Sequence, residues 1–247
     1  MYKIFAYVGS YRGNNSYSIQ LTKELVKNLN DLLNLDIEFK LYTPDNLKIN
    51  DCVGCASCFL SGKCSRNDEF EEVKNEILES DIIIFSSPVY FHQVSGAMKT
   101  FIDRISYWAH TLELRGKIGV SINVSDTNGN KFVEEYLDKV MSTLGMVVLK
   151  NISIQTSNIG NKVAFSSIIR VLSNQIVNSI NNKDFHISSI QEIYFQNMKV
   201  SINNKSNDEY EKIYWKKNKL FEYDTFSDLF NDSCKINSNE VLCRLNN

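Results

Sequence analysis

From Lys3 to Val8 the chain is β-branched and aromatic, and it then meets Gly9. From Ser16 to Leu33 apolar residues return at helical spacing, at Ile19, Leu21, Leu25, Val26, Leu29, Leu32 and Leu33. The pair predicts a strand followed by a helix. Asp36 to Thr43 alternates through Ile37, Phe39 and Leu41 as a second strand and stops at Pro44. After a cysteine-rich loop, Phe70, Val73, Ile77 and Leu78 restore a helical period over Asp68 to Leu78, with Asn67 or Asp68 as the N-cap.

Ile82 to Ser86 is a continuous apolar run ending at Ser87 and Pro88, the pattern of a strand buried on both faces of a parallel sheet. A helix over Ser95 to Trp108 follows, apolar at Ala97, Met98, Phe101, Ile102 and Ile105. Lys117 to Val124 then reads as a fourth strand, Lys131 to Leu144 as a helix closed by Gly145, and Met146 to Ile154 as a fifth strand. Strands alternating with helices predict an α/β fold with a doubly wound, five-stranded parallel sheet of order 2-1-3-4-5. Past Asn158 the regularity fades. A helix over Ser166 to Ile180 closes a domain of residues 1–182, and residues 183–247 read as a C-terminal helical or irregular extension, not an independent domain.

The chain has 247 residues, 43% of them hydrophobic, enough for a sizeable core. Lys and Arg number 27 against 29 Asp and Glu, so no basic surface points to nucleic acid or to an anionic membrane. No run approaches the roughly 18 apolar residues of a membrane span, and the short N-terminal apolar run lacks a signal-peptide pattern. A cytoplasmic location is expected. Four of the six Cys crowd between positions 52 and 64, and in a reducing compartment they are not expected to pair as disulfides.

In open α/β sheets ligands bind beyond the carboxyl ends of the strands, where strand order reverses. Here that point falls between the first and third strands, flanked by two unusual loops. The first, Gly9 to Ser18, gathers Ser10, Arg12, Asn15, Ser16 and Ser18 ahead of a helix, where hydroxyls, backbone N–H groups and the helix dipole favour an anion. It is neither a Walker loop nor GxGxxG. The second, around Pro88, Val89, Tyr90 and Phe91, puts apolar and aromatic residues where polar ones are usual and offers a surface for a flat ring. A third loop, with Ser125, Thr127, Asn128 and Gly129, supplies polar groups on the far side.

Gly9-Ser10-x-Arg12 with Asn15, Ser16 and Ser18, then Ser87-Pro88-Val89-Tyr90-Phe91, then Ser95-Gly96-x-Met98-Lys99-x-Phe101-Ile102-Asp103-Arg104, resembles the NADPH-dependent FMN reductase and iron-sulfur flavoprotein branch of the flavodoxin-like family. The resemblance covers roughly residues 1–155, with His92 and Gln93 standing where the family has small or polar residues. It implies FMN phosphate on Ser10, Arg12, Asn15, Ser16 and Ser18, the isoalloxazine against Pro88 to Phe91, and the loop Ser125 to Gly129 closing its other edge. It also implies an FMN-dependent NAD(P)H oxidoreductase that passes electrons to a quinone, nitro compound, flavin or metal complex. An electron carrier with a ferredoxin-like partner and a non-catalytic flavin-binding protein are the alternatives.

Cys52-x2-Cys55-x2-Cys58-x5-Cys64 is a compact four-thiolate set, suited by spacing to zinc or to a [4Fe-4S] cluster, with free thiols as the third possibility. The run resembles the compact motif of iron-sulfur flavoproteins. Cys234 and Cys243 stand apart and read as ordinary thiols. No nucleophile or acid–base pair is evident. Asp103 and Arg104 are expected in intrahelical or subunit ion pairs. The extension carries Tyr194, Phe195, Tyr210, Tyr214, Trp215, Phe221, Tyr223, Phe226 and Phe230 in an otherwise polar stretch. With the sheet faces served by the helices between strands, these rings are expected to cross onto a second subunit or to lie over the flavin edge, giving a homodimer or higher homo-oligomer.

Overall fold

Every β-branched run of the first 155 residues enters one sheet. A computed structural model describes residues 1–33, 36–159 and 162–234. Its strands are β1 (Tyr2–Val8), β2 (Ile37–Tyr42), β3 (Ile82–Tyr90), β4 (Gln93–Val94), β5 (Ile118–Ser125) and β6 (Val147–Gln155). The order is β2-β1-β3-β5-β6, parallel throughout, with the two-residue β4 folded antiparallel onto the end of β3. Counting the parallel strands alone, this is the expected 2-1-3-4-5 order of a flavodoxin-like fold.

The helices are α1 (Tyr17–Leu33), α2 (Ser57–Ser61), α3 (Phe70–Glu79), α4 (Gly96–Ile105), α5 (Trp108–Thr111), α6 (Asn130–Thr143), α7 (Lys162–Asn182), α8 (Ser189–Asn203), α9 (Tyr210–Lys217) and α10 (Phe226–Ser233). Because side chains alternate along a strand, β1 sends Ile4 and Ala6 into one core and Phe5 and Tyr7 into the other. The first core takes Leu25 and Leu29 of α1 and Ile169 and Ile176 of α7. The second takes Val73 of α3, Phe101 of α4 and Leu137 of α6.

Two local expectations change. The third strand runs four residues past Ser86, through Pro88 to Tyr90. β1 pairs with β3 only as far as Val8 and Ser86, while β5 continues beside it to the pair Pro88 and Val124. On the side β1 has left, a residue without an N–H forfeits no ladder bond. The N-cap of α3 is Glu69, one position past the expected pair, although Asp68 still accepts from the Phe70 amide at 3.2 Å.

The extension is the larger correction. Phe195, Trp215, Phe226 and Phe230 are buried in the first core of their own chain, and Tyr194, Tyr214, Phe221 and Tyr223 pack against it. Phe195 and Trp215 stack with centroids 5.9 Å apart. Polar contacts anchor the segment to the turns feeding β5 and β6. Trp215 Nε1 donates to the His110 carbonyl at 2.7 Å, Arg115 to the Tyr214 hydroxyl at 2.9 Å and Gln191 to the Met146 carbonyl at 2.8 Å. The aromatics therefore need neither a second subunit nor the flavin edge. The helices between strands serve the two faces of the sheet and leave its amino end open, and the extension covers that end. Cys234 is buried there. Cys243 and the rest of 235–247 lie outside the described residues.

Candidate functional site

The loops after β1, β3 and β5 converge on an open cleft of about 820 Å³. Of the expected residues, Ser10, Arg12, Ser16, Ser18, Pro88, Val89, Tyr90, Ser125 and Thr127 line it. Ser10, Ser16 and Ser18 are buried at its floor. Ser16 Oγ accepts from the Ile19 amide at 3.3 Å and so caps the start of α1. A serine bridge joins the first loop to the second. Ser95 Oγ donates to the Gly9 carbonyl at 2.5 Å and accepts from Met98 N at 3.2 Å, while Ser87 Oγ accepts from Ser95 N at 3.0 Å. The two walls are thus fixed to each other through buried hydrogen bonds.

Four expected residues stand outside the cleft lining. Asn15 closes an exposed 3-10 turn, Gly13–Asn15. Asn128 is also exposed on the third loop. Phe91 is 100% exposed, in the two-residue turn between β3 and β4, where Phe91 and His92 have φ of 47° and 64°. Such a turn favours Asn and Gly, so these bulky residues hold a strained backbone. Gly129 sits at φ 87°, and a side chain there would press on Val89 and on the His92 backbone. Its part is to let the third loop close against the turn.

Five lining residues were not singled out in the sequence: Tyr17, Val124, Asp126, Thr156 and Ser157. Thr156 and Ser157 follow β6, so the strand-end rule that marked the other loops also reaches them. Thr156 Oγ1 donates to Asp126 Oδ1 at 2.6 Å and ties this fourth loop to the third. Ser125 Oγ is buried without a hydrogen-bond partner. An unpartnered buried hydroxyl is unfavourable unless a ligand satisfies it.

Cys52, Cys55, Cys58 and Cys64 all line a second, smaller pocket of about 100 Å³ beside Ser106. Among the described residues no three His, Cys, Asp or Glu side chains converge as ligands of a single metal ion. Cys55 Sγ lies 3.4 Å from Ser57 Oγ and 3.0 Å from Ser65 Oγ. Hydrogen bonds from Ser57 and Ser65 bring its thiol down to about 7, while burial raises that of Cys58. The loop's stem is closed by Arg104, which is neither in an intrahelical nor in a subunit pair. It binds Asp68 through both terminal nitrogens and donates to the Asn50 carbonyl at 2.9 Å. Asp103 does make the expected intrahelical pair, with Lys99. The cleft lies at the amino end of α4 and the cysteine pocket at its carboxyl end, so the ten residues of that helix, about 15 Å, separate them.

Residues 2–160 match the NADPH-dependent FMN reductase family. An iron-sulfur flavoprotein of Archaeoglobus fulgidus is 38% identical over 127 residues, 51% of this chain and 58% of that protein. One from Clostridioides difficile is 30% identical over 149 residues, 60% of this chain and 65% of that protein. The chain thus spans about six-tenths of the length of these relatives. An apo NADH:FMN oxidoreductase superposes with a TM-score of 0.54 at 19% identity, covering 77% of this chain and 94% of that one, which is a likeness of fold. With the match running from the start of β1 through the end of β6, the chain belongs to the NADPH-dependent FMN reductase family.

Proposed function

We propose that the chain is an FMN-dependent oxidoreductase, with NAD(P)H as its reductant and a small electron acceptor such as a quinone, nitro compound, flavin or metal complex. The observation that carries this reading is the convergence, in one cleft, of a hydroxyl-rich helix start, an apolar wall and an unpartnered polar group. The residues fit the cofactor. Arg12, the three buried serines and the amino end of the 17-residue α1 suit a phosphate. Pro88, Val89 and Tyr90 suit a flat ring, and Ser125 Oγ offers a hydrogen bond to its polar edge.

FMN supplies the hydride and one-electron chemistry when bound. The chain's own residues bind, orient and shield. Arg12 and the α1 amides would hold the phosphate, the Ser87–Ser95–Gly9 bridge keeps the walls in register, and Tyr90 would cover one side of the ring. A second copy of the chain is proposed on new grounds, since the extension does not require one. Tyr11, Tyr17, Tyr90, Phe91 and Phe132 are exposed around the cleft mouth and the adjoining turn, and a partner covering them would exclude water from the ring.

A second reading rests on the four thiols around one pocket. Four thiols in a compact run lining one pocket suit a [4Fe-4S] cluster, and the relatives named iron-sulfur flavoproteins support that choice over zinc. Cys52, Cys55, Cys58 and Cys64 would hold the cluster, whose chemistry is single-electron transfer, and a ferredoxin-like protein is the partner that chemistry fits.

One experiment addresses both readings: protein purified anaerobically is assayed for FMN and iron per chain and then mixed with NADPH or NADH while the flavin absorbance is followed. Bound FMN bleached by either nucleotide supports the oxidoreductase. Bound FMN that neither nucleotide reduces, together with about four iron atoms per chain, favours the electron carrier, and protein without FMN contradicts both.

A further inference from the structure

Gly62, between Cys58 and Cys64, ends α2 at φ 72°, and a methyl group added to it would collide with the ring of Tyr210, the first residue of α9. One turn away, the Phe59 ring, directly after Cys58, lies 4.8 Å from that of His110 on α5. Glu211, next to Tyr210 and itself buried, holds His110 Nδ1 at 2.6 Å and Lys205 Nζ at 2.9 Å. Trp215 on the same helix fixes the His110 carbonyl. The extension therefore touches the cysteine loop twice, directly through Tyr210 and indirectly through His110.

We propose that α9 is a clamp that positions the thiols of Cys58 and Cys64, with Tyr210 and His110 as its positioning residues. The loop from Cys52 to Cys64 has little regular structure, a single five-residue helix, and two of its thiols, Cys52 and Cys55, are exposed. Such a segment opens readily unless something outside it supplies contacts. Arg104 secures the loop's stem and also reaches Cys64, whereas Tyr210 and His110 hold Gly62 and Phe59, between the half-buried Cys58 and Cys64. The Gly62 approach makes this a close fit: only a residue without a side chain lets the Tyr210 ring reach the loop backbone, and the left-handed turn there favours the same residue. The extension, remote from the flavin cleft, thus becomes part of the cysteine site.

The test compares wild type, Tyr210→Ala, His110→Ala and Tyr210→Phe. Its first arm rests on the cluster reading: after anaerobic reconstitution, iron loss to a chelator is timed and FMN content is measured alongside. Its second arm does not: in metal-free protein, alkylation of Cys58 and Cys64 is timed by mass spectrometry. The clamp predicts that both alanine variants lose iron and label Cys58 and Cys64 roughly three- to tenfold faster, the scale of one lost aromatic contact, with FMN retained. Tyr210→Phe should stay much closer to wild type than Tyr210→Ala, because it keeps the ring carbons against Gly62 and gives up only the hydroxyl oxygen that also touches it. If wild type takes up no iron, the cluster reading fails and the labelling arm alone decides. Wild-type labelling rates in both alanine variants, or FMN lost in proportion to iron, would overturn the clamp.

Discussion

Arg104 and Asp68 form a bidentate pair that is almost wholly buried, with Nη1 at 2.5 Å and Nη2 at 3.1 Å from the two carboxylate oxygens. Asp68 Oδ2 also accepts from the Asn50 amide at 2.8 Å, and Arg104 lies over the Phe70 ring at 5.1 Å. Asn50 precedes the first cysteine by two residues and Asp68 follows the last by four, so this one pair closes the cysteine loop at its base. Removing one partner strands the other charge. Arg104→Ala is expected to lower stability by about 3–5 kcal/mol, read by denaturant unfolding. A loss below about 1 kcal/mol would mean that the pair behaves as a surface ion pair.

The same pair fixes an acid dependence. Burial works against the Asp68 charge, but hydrogen bonds from Arg104 and from the Asn50 and Phe70 amides outweigh it and hold the carboxyl below its ordinary 3.8. A carboxyl with a lower folded than unfolded value adds stability that is complete above the unfolded value and is lost as pH falls through the folded one. Wild type should therefore exceed Asp68→Asn in stability at neutral pH, and the gap should narrow only below about pH 4. A gap that closes between pH 5 and 7 would contradict the assignment.

The extension should behave as part of the core. Trp215→Ala empties a fully buried site beside Phe195 and Phe221 and is expected to cost about 3–5 kcal/mol. Truncation after Asn182 exposes the amino end of the sheet and should give insoluble or unfolded protein, seen by circular dichroism and light scattering. A truncated chain with the wild-type melting temperature would show the extension to be merely appended.

Strain at the tip of the β3–β4 turn gives a prediction of opposite sign. His92 adopts a left-handed conformation, and its ring contact, 5.4 Å to Phe132, is at the surface. His92→Gly is expected to stabilise the protein by about 1 kcal/mol, measured by chemical denaturation. A loss of that size would instead give the ring contact the larger weight.

The parallel sheet was legible because each buried strand announced itself as an apolar run, and three of the four cleft loops because they follow those runs. Pro88 misled, since its effect depends on which neighbour has already ended, a fact of pairing and not of local sequence. The Arg104–Asp68 pair joins residues 36 apart, and neither carries a local sign of the other. Tyr210 on Gly62 is hidden in the same way. Periodicity describes the faces of a sheet and says nothing of its open ends, where eight of the nine aromatics from Tyr194 to Phe230 lie, while the ninth, Tyr210, packs on the cysteine loop.

Calorimetric titration of metal-free apo-protein with FMN, alongside a Ser10→Ala, Arg12→Ala, Ser16→Ala triple variant, bears most directly on the central claim. Charge-assisted hydrogen bonds contribute about 1.5–3 kcal/mol each, so wild type should bind one FMN per chain at micromolar affinity or tighter, and the triple variant at least about a hundredfold more weakly. Wild-type affinity no tighter than millimolar, or a triple variant that binds as well as wild type, would contradict the assignment of FMN to this cleft.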